Sequence, residues 1–95
     1  MRYNSNYKEP RNYKIGTKNM ALSLRTAVNS IIARFHAENK REGTPDTHIE
    51  WTGNHQFRGR QLWIELKFTD MVYGTYITGW TNGVEEHGFL TFEED

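Results

Sequence analysis

The feature that most constrains this chain is a change in the spacing of its apolar residues near residue 45. Before that point they recur every three or four residues, as on one face of an α-helix, and beyond it they alternate, as on one face of a β-strand. One amphipathic helix followed by alternating segments is typical of a helix packed on one face of an antiparallel sheet. The spacing therefore predicts an α+β fold with one long N-terminal helix on a four-stranded antiparallel meander.

The helical pattern covers residues 19–41. Thr17 or Asn19 is placed to cap the first turn, while Gly43 and Pro45 end the run. No heptad repeat continues the apolar stripe, which favours a core-facing helix over a coiled coil. The stripe consists of Met20, Leu24, Val28, Ile31 and Phe35.

The alternating region divides into four predicted strands. Turn residues separate a short strand over 48–52, the strand 62–68, a strand over 72–81 and a last strand over about 84–92. Residues 55–59 are predicted to form a polar connection. The clearest alternation is that of Leu62, Ile64, Leu66 and Phe68.

The dipeptide Asn82–Gly83 is the strongest hairpin signal, because both residues tolerate the positive φ of a two-residue type I′ turn. Counting outward from such a turn sets the register of the last two strands. One set of pairs is expected under the helix: Thr81 with Val84, Ile77 with Gly88, Thr75 with Leu90, and Tyr73 with Phe92.

The same register places a second set of residues on the face that a single helix leaves uncovered. Tyr76 is expected beside Phe89, and Trp80 beside Glu85, with Glu86 next to them. Exposed aromatic patches on small domains usually mark a partner. We therefore expect a protein-binding face that blocks its partner by steric occlusion or by mimicking DNA, with coverage by the N-terminal arm and a sheet-to-sheet homodimer as alternatives.

The chain is predicted to form a single domain over 18–95, preceded by an extended arm over 1–17. Tyrosines alternate with cations in this arm, as in segments that stack on bases and contact phosphates. Nucleic-acid binding by the arm and the helix is therefore the alternative function. Its candidate residues are Arg2, Tyr3, Tyr7, Lys8, Arg11, Tyr13 and Lys14.

The net charge of zero conceals a division along the sequence. Residues 1–41 carry nine Lys or Arg and two acidic residues, whereas residues 42–95 carry three Lys or Arg and ten acidic residues, so the parts are +7 and −7. Such parts attract each other within the fold or present surfaces of opposite sign to partners.

Composition excludes several classes of protein. Without cysteine there is no disulfide framework, thiolate zinc site or cysteine nucleophile. No secretory signal or stretch of about 20 apolar residues occurs, so we expect no membrane partner and a cytoplasmic location. The spacing of His36, His48, His55 and His87 matches no metal-site pattern, and no cofactor or metal is expected.

Asp46, Glu65 and Lys67 follow an acid…Glu-x-Lys order that is similar to the signature of the restriction-endonuclease-like nucleases. The resemblance implies that the two carboxylates hold Mg²⁺ and the lysine orients the attacking water. Strands continue after Lys67, where that family has a helix. We therefore rank a Mg²⁺-dependent nuclease below the two binding functions and expect no enzyme.

In size, neutral balance and aromatic content the chain looks like the small inhibitors that bacteriophages and mobile elements encode against host enzymes. That resemblance carries no residue-level motif. It implies a host protein as partner, namely a nucleic-acid-processing or defence enzyme, and a location in the host cytoplasm.

Overall fold

The structure, a computed structural model, describes residues 13–16, 18–20 and 23–95. That part of the chain forms one α-helix and eight β-strands. In chain order they are β1 (Tyr13–Ile15), β2 (Lys18–Met20), α1 (Leu24–Arg41), β3 (Thr47–Arg58), β4 (Gln61–Asp70), β5 (Tyr76–Thr81), β6 (Glu85–Glu86), β7 (Phe89–Leu90) and β8 (Glu93–Glu94).

The helix ends where it was predicted to end but begins later. Ser23 is the N-cap, and its hydroxyl oxygen accepts a hydrogen bond from the amide of Thr26 at 3.3 Å. The prediction of Thr17 or Asn19 as the cap was wrong: Asn19 lies in β2, opposite Lys14, and Thr17 is outside the described residues. Asn19 and Met20, which the helical spacing assigned to the helix, instead belong to β2 and pair with β1.

The central strand of the sheet is β4. β3 pairs with it along one edge and β5 along the other, both antiparallel. β1 runs parallel to the beginning of β4, with Lys14 opposite Gln61, and β2 pairs with β1. Because β3, β4 and β5 are consecutive antiparallel neighbours and one helix packs on the sheet, the predicted α+β class is confirmed.

β3 corrects the prediction of a short strand followed by a polar connection. It is one strand of 12 residues, and its register with β4 shifts between Trp51 and His55. Gly53 at φ +96° lies within this irregularity, so the glycine that suggested a break instead accommodates a β-bulge. Beyond the bulge, His55 and Phe57 pair with Ile64 and Leu62.

The register predicted from Asn82–Gly83 was wrong. β5 pairs with β8, through Gly79 with Glu94 and Trp80 with Glu93. The two-residue turn lies instead at His87–Gly88, which joins β6 to β7. Both residues have a positive φ (54° and 87°). None of the four pairs expected beneath the helix forms, and residues 84–92 are a small separate hairpin followed by β8.

The predicted strand over 72–81 also begins later, at Tyr76. Residues 71–75 form a loop in which the Asp70 carboxylate oxygen Oδ1 accepts hydrogen bonds from the amides of Val72 (2.8 Å) and Tyr73 (3.1 Å). An Asx-type turn of this kind offers the backbone an alternative to strand pairing.

The core lies between α1 and one face of the sheet. Four helix residues and three alternating β4 residues are buried together, which confirms both apolar patterns. Ile49, Tyr13, Ile15 and Leu90 complete the cluster from β3, β1 and β7. The helix and β4 residues are Ala27, Val28, Ile31, Phe35, Leu62, Ile64 and Leu66.

Candidate functional site

Tyr76 and Trp80 lie on the face of the sheet opposite α1, as predicted. They pair with Thr69 and Glu65 of β4, whose odd-numbered residues face away from the buried Leu62, Ile64 and Leu66. We call this the helix-free face. Tyr76 is exposed and Trp80 is half-buried.

Cationic side chains cover part of this face. The Lys67 ammonium lies 4.3 Å from the centroid of the Tyr76 ring, and the Arg58 guanidinium lies 3.8 Å from that of Trp63. Arg58 also donates two hydrogen bonds to the Glu93 carboxylate, at 3.1 and 3.3 Å. Trp63 is therefore only 8% exposed without a helix above it. The sequence did not single it out, although its odd position in β4 indicated this face.

The other three predicted contact residues lie elsewhere. Glu85, Glu86 and Phe89 belong to the β6–β7 hairpin, so neither acidic residue sits beside Trp80. Glu85 pairs instead with Arg34 of α1 at 3.5 Å. The acidic neighbours of Trp80 are Glu93, opposite it in β8, and Asp95.

Asp95 joins a polar cluster with Glu65 and Trp80. The Trp80 indole Nε1–H donates to Asp95 Oδ1 at 3.0 Å, and the Asp95 amide donates to the Thr78 carbonyl at 2.9 Å. A hydrogen bond between the carboxyl groups of Asp95 and Glu65 has the largest effect, followed by hydrogen bonds with the side chains of Thr78 and Trp80, and together they hold the pKa of Asp95 below its ordinary value. Glu65 also accepts hydrogen bonds from Thr52 and Asn54 at 2.9 Å each.

We expect Asp95→Asn to lower the unfolding temperature at pH 7 and to have no effect near pH 2. A lowered folded pKa stabilises the fold above the unfolded pKa of about 3.9, and this contribution is lost as the pH falls through the folded pKa. The asparagine keeps an oxygen for Trp80 and loses only the charge. Thermal unfolding at both pH values measures the difference, with Glu94→Gln as the exposed control. An equal loss at both pH values contradicts the assignment.

An apolar groove opens at the other side of the sheet, where α1 ends. Its volume is about 510 Å³, within the size range of ligand sites. Edge-to-face contacts join Phe35 to Phe68, Phe68 to Phe92 and Phe35 to Phe92, with ring centroids 5.1 to 6.4 Å apart. The lining residues are Phe35, Glu38, Asn39, Thr44, Thr47, Phe68, Asp70, Thr75, Tyr76, Ile77, Phe89, Leu90 and Phe92.

Large exposed hydrophobic side chains gather around this groove. Ile77 and Phe89 line it, and the adjoining β4–β5 loop contributes three more, Met71, Val72 and Tyr73. Their exposure runs from 44% for Ile77 to 81% for Tyr73. The predicted pairing of Tyr76 with Phe89 on the uncovered face was wrong, because β5 pairs with β8 and Phe89 pairs with Glu86 in the β6–β7 hairpin.

The nuclease residues do not converge. Asp46 precedes β3, and its carbonyl accepts a hydrogen bond from the Met71 amide beyond the end of β4. Glu65 lies five positions before Asp70, which is about 17 Å along a strand. In the described ranges, no group of three or more His, Asp or Glu side chains is arranged to hold a metal ion. The residues present therefore do not fit the Mg²⁺ site that the resemblance implied.

Most of the predicted nucleic-acid-binding arm, from Arg2 to Arg11 and including Tyr3, Tyr7 and Lys8, lies outside the described residues. Of its remaining members, Lys14 is exposed in β1, whereas Tyr13 is buried with its ring 5.5 Å from that of Phe57. Tyr13 therefore contributes to the core.

Within residues 13–16, 18–20 and 23–95, no helix is long and apolar enough to cross a membrane. Comparison of the chain with protein-family models, with curated proteins and with solved structures returned no match.

Proposed function

We propose that this chain is a non-enzymatic protein-binding module whose contact surface is the groove between the end of α1, β5 and the β6–β7 hairpin. The observation that carries the proposal is the coincidence of an apolar concavity of about 510 Å³ with five large exposed hydrophobic side chains at its rim and on the adjoining loop.

Physical chemistry supports a protein partner at such a surface. Scattered exposed apolar residues are ordinary, but a contiguous set around a concave site marks a contact region on a small domain. The rim offers the aromatic ring of Phe89 beside Ile77, and aromatic side chains carry much of the energy of protein interfaces. The carboxylates of Glu38 and Asp70 in the lining oppose the binding of phosphates, which disfavours nucleic acid in this groove.

The finer role expected from the sequence is occlusion of a host nucleic-acid-processing or defence enzyme by a phage-encoded inhibitor. An apolar docking groove supports the binding part of that role, because a domain that docks on its partner covers part of the partner's surface. The identity of the partner and its inhibition stay predictions, as does the cytoplasmic location.

Selection from a displayed random-peptide library on the full chain tests the proposed surface. We expect enriched peptides to contain a large apolar residue and to lose at least about tenfold in affinity for the double variant Ile77→Ser/Phe89→Ser. A tenfold loss corresponds to about 1.4 kcal/mol, less than the burial of one large side chain provides. Both side chains are exposed, so the fold is expected to survive.

Trp80→Ala is the control, because Trp80 lies on the helix-free face. If the enriched peptides depend on Trp80 and bind the double variant normally, the contact surface lies on the helix-free face and the proposal is overturned. Failure to enrich any groove-dependent peptide would also count against it.

A further inference from the structure

We infer that the groove receives an extended, cationic segment of a partner protein, in which one large apolar side chain is flanked by Lys or Arg. This inference rests on the proposed function and adds the chemistry of the partner. Two features of the groove support it: the aromatic floor and the charges of its lining.

The aromatic floor selects an apolar anchor. Phe35 is buried, while Phe68 and Phe92 are half-buried and present ring edges and faces to the groove. Ile77 and Phe89 at the rim are 44% and 50% exposed, so an inserted side chain would remove apolar surface on both partners from water. The volume of about 510 Å³ admits a large side chain together with adjoining backbone.

The lining charges select the neighbours of that anchor. Among the described residues, the groove is lined by two carboxylates, Glu38 and Asp70, and by no Lys, Arg or His. Glu38 Oε1 accepts from the Leu90 amide at 2.7 Å, and Asp70 Oδ1 accepts from two loop amides. These bonds position both carboxylates and leave their second oxygens to accept from a cationic ligand.

The basic residues that close the helix do not cancel this charge. Lys40 and Arg41 follow the last lining residues of α1 but do not line the groove themselves. Arg41 donates a hydrogen bond to the Gly88 carbonyl at 3.1 Å, which directs its guanidinium to the β6–β7 turn.

A second copy of this chain fits the groove less well. Its most exposed apolar segment, Met71–Tyr73, follows the acidic Asp70 and has no cation between residues 68 and 80. Carboxylates of the groove and of the inserted loop would therefore approach each other, which opposes self-association.

Fluorescence anisotropy with three labelled peptides tests the inference on the full chain. Each peptide has a central phenylalanine, flanked on both sides by paired lysines, glutamines or glutamates. We expect the lysine peptide to bind at least about tenfold more tightly than the glutamate peptide at low salt, with the glutamine peptide between them. Added salt should reduce the difference, because it screens the charges.

The double variant Glu38→Gln/Asp70→Asn isolates the charge. Each amide keeps an oxygen that accepts the backbone hydrogen bonds, so the fold is expected to remain and the lysine preference to fall several-fold. Glu50→Gln, on the helix-free face, is the matched control and should keep the full preference.

The outcomes separate this inference from the proposed function. Equal affinity for the three peptides, with binding still lost in Ile77→Ser/Phe89→Ser, overturns the cationic partner and leaves the docking groove. A lysine peptide that does not bind even at millimolar concentration overturns the inference as well. Sedimentation of the unliganded chain as a dimer that dissociates in Ile77→Ser/Phe89→Ser identifies a second copy as the occupant, which also overturns it.

Discussion

Phe35→Ala is expected to lower the free energy of unfolding by about 3–5 kcal/mol, the range for removing a large aromatic side chain from a core. Phe35 is 4% exposed, and its ring contacts Phe68 and Phe92 at centroid distances of 5.1 and 6.4 Å. The variant loses the burial of the ring and its edge-to-face contacts, and it leaves a cavity beneath the groove. Urea unfolding followed by tryptophan fluorescence measures the loss.

Phe89→Ala provides the matched control for that measurement. It deletes the same atoms from the rim of the same groove, where Phe89 is 50% exposed, and we expect a loss below about 1 kcal/mol. A Phe35→Ala variant no less stable than Phe89→Ala would show that the three rings do not form a packed floor. The comparison therefore separates the side chain that holds the groove together from one that is available to a partner.

The layers of this fold could be predicted because they follow from local periodicity. Val28, Ile31 and Phe35 recur at helical spacing, and Leu62 and Leu66 alternate with polar residues, so each element identifies its own buried face. Alternation also placed Tyr76 and Trp80 correctly on the helix-free face. These predictions required only that a helix and a strand bury their apolar sides against each other.

The hairpin at Asn82–Gly83 failed for a reason that local sequence does not show. The Asn82 carbonyl accepts a hydrogen bond from the amide of Gly16 at 2.7 Å, which ties this segment to β1. Gly83 has a positive φ of 78°, but Asn82 does not, so a type I′ turn is absent there. The actual turn uses His87 at φ 54°, and histidine, like asparagine and aspartate, adopts a positive φ more often than other residues with a Cβ.

The groove could not be predicted because it draws on segments that are distant in sequence. The end of α1, the end of β4, the beginning of β5 and the 89–92 segment each supply part of the wall. Each aromatic residue of the floor looked like an ordinary core residue in its own element. The docking of Phe92 above Gly79 adds the third ring to the Phe35–Phe68 pair, and that contact depends on the β5–β8 pairing, which the predicted hairpin register did not include.

That docking contact is the basis of the second large effect. We expect Gly79→Ala to lower the free energy of unfolding by about 2–3 kcal/mol, toward the upper part of the range for overpacked sites. A Cβ at residue 79 would lie 2.5 Å from the carbonyl oxygen of Glu93 and also collide with the Phe92 ring. The ring can turn aside, but the carbonyl belongs to the paired β8 backbone, so β8 must separate from β5.

The indole N–H signal of Trp80 in an NMR spectrum reports the separation directly. Its hydrogen bond to Asp95 at 3.0 Å requires β8 to be docked, so the signal should shift in Gly79→Ala while those of Trp51 and Trp63 change little. The double variant Gly79→Ala/Phe92→Ala distinguishes a collision with the Phe92 ring from a collision with the Glu93 carbonyl. If the ring were the only obstacle, Gly79→Ala would not lower the free energy of unfolding any further in the Phe92→Ala protein. Because the Glu93 carbonyl stays in place, we expect the double variant to remain less stable than Phe92→Ala alone.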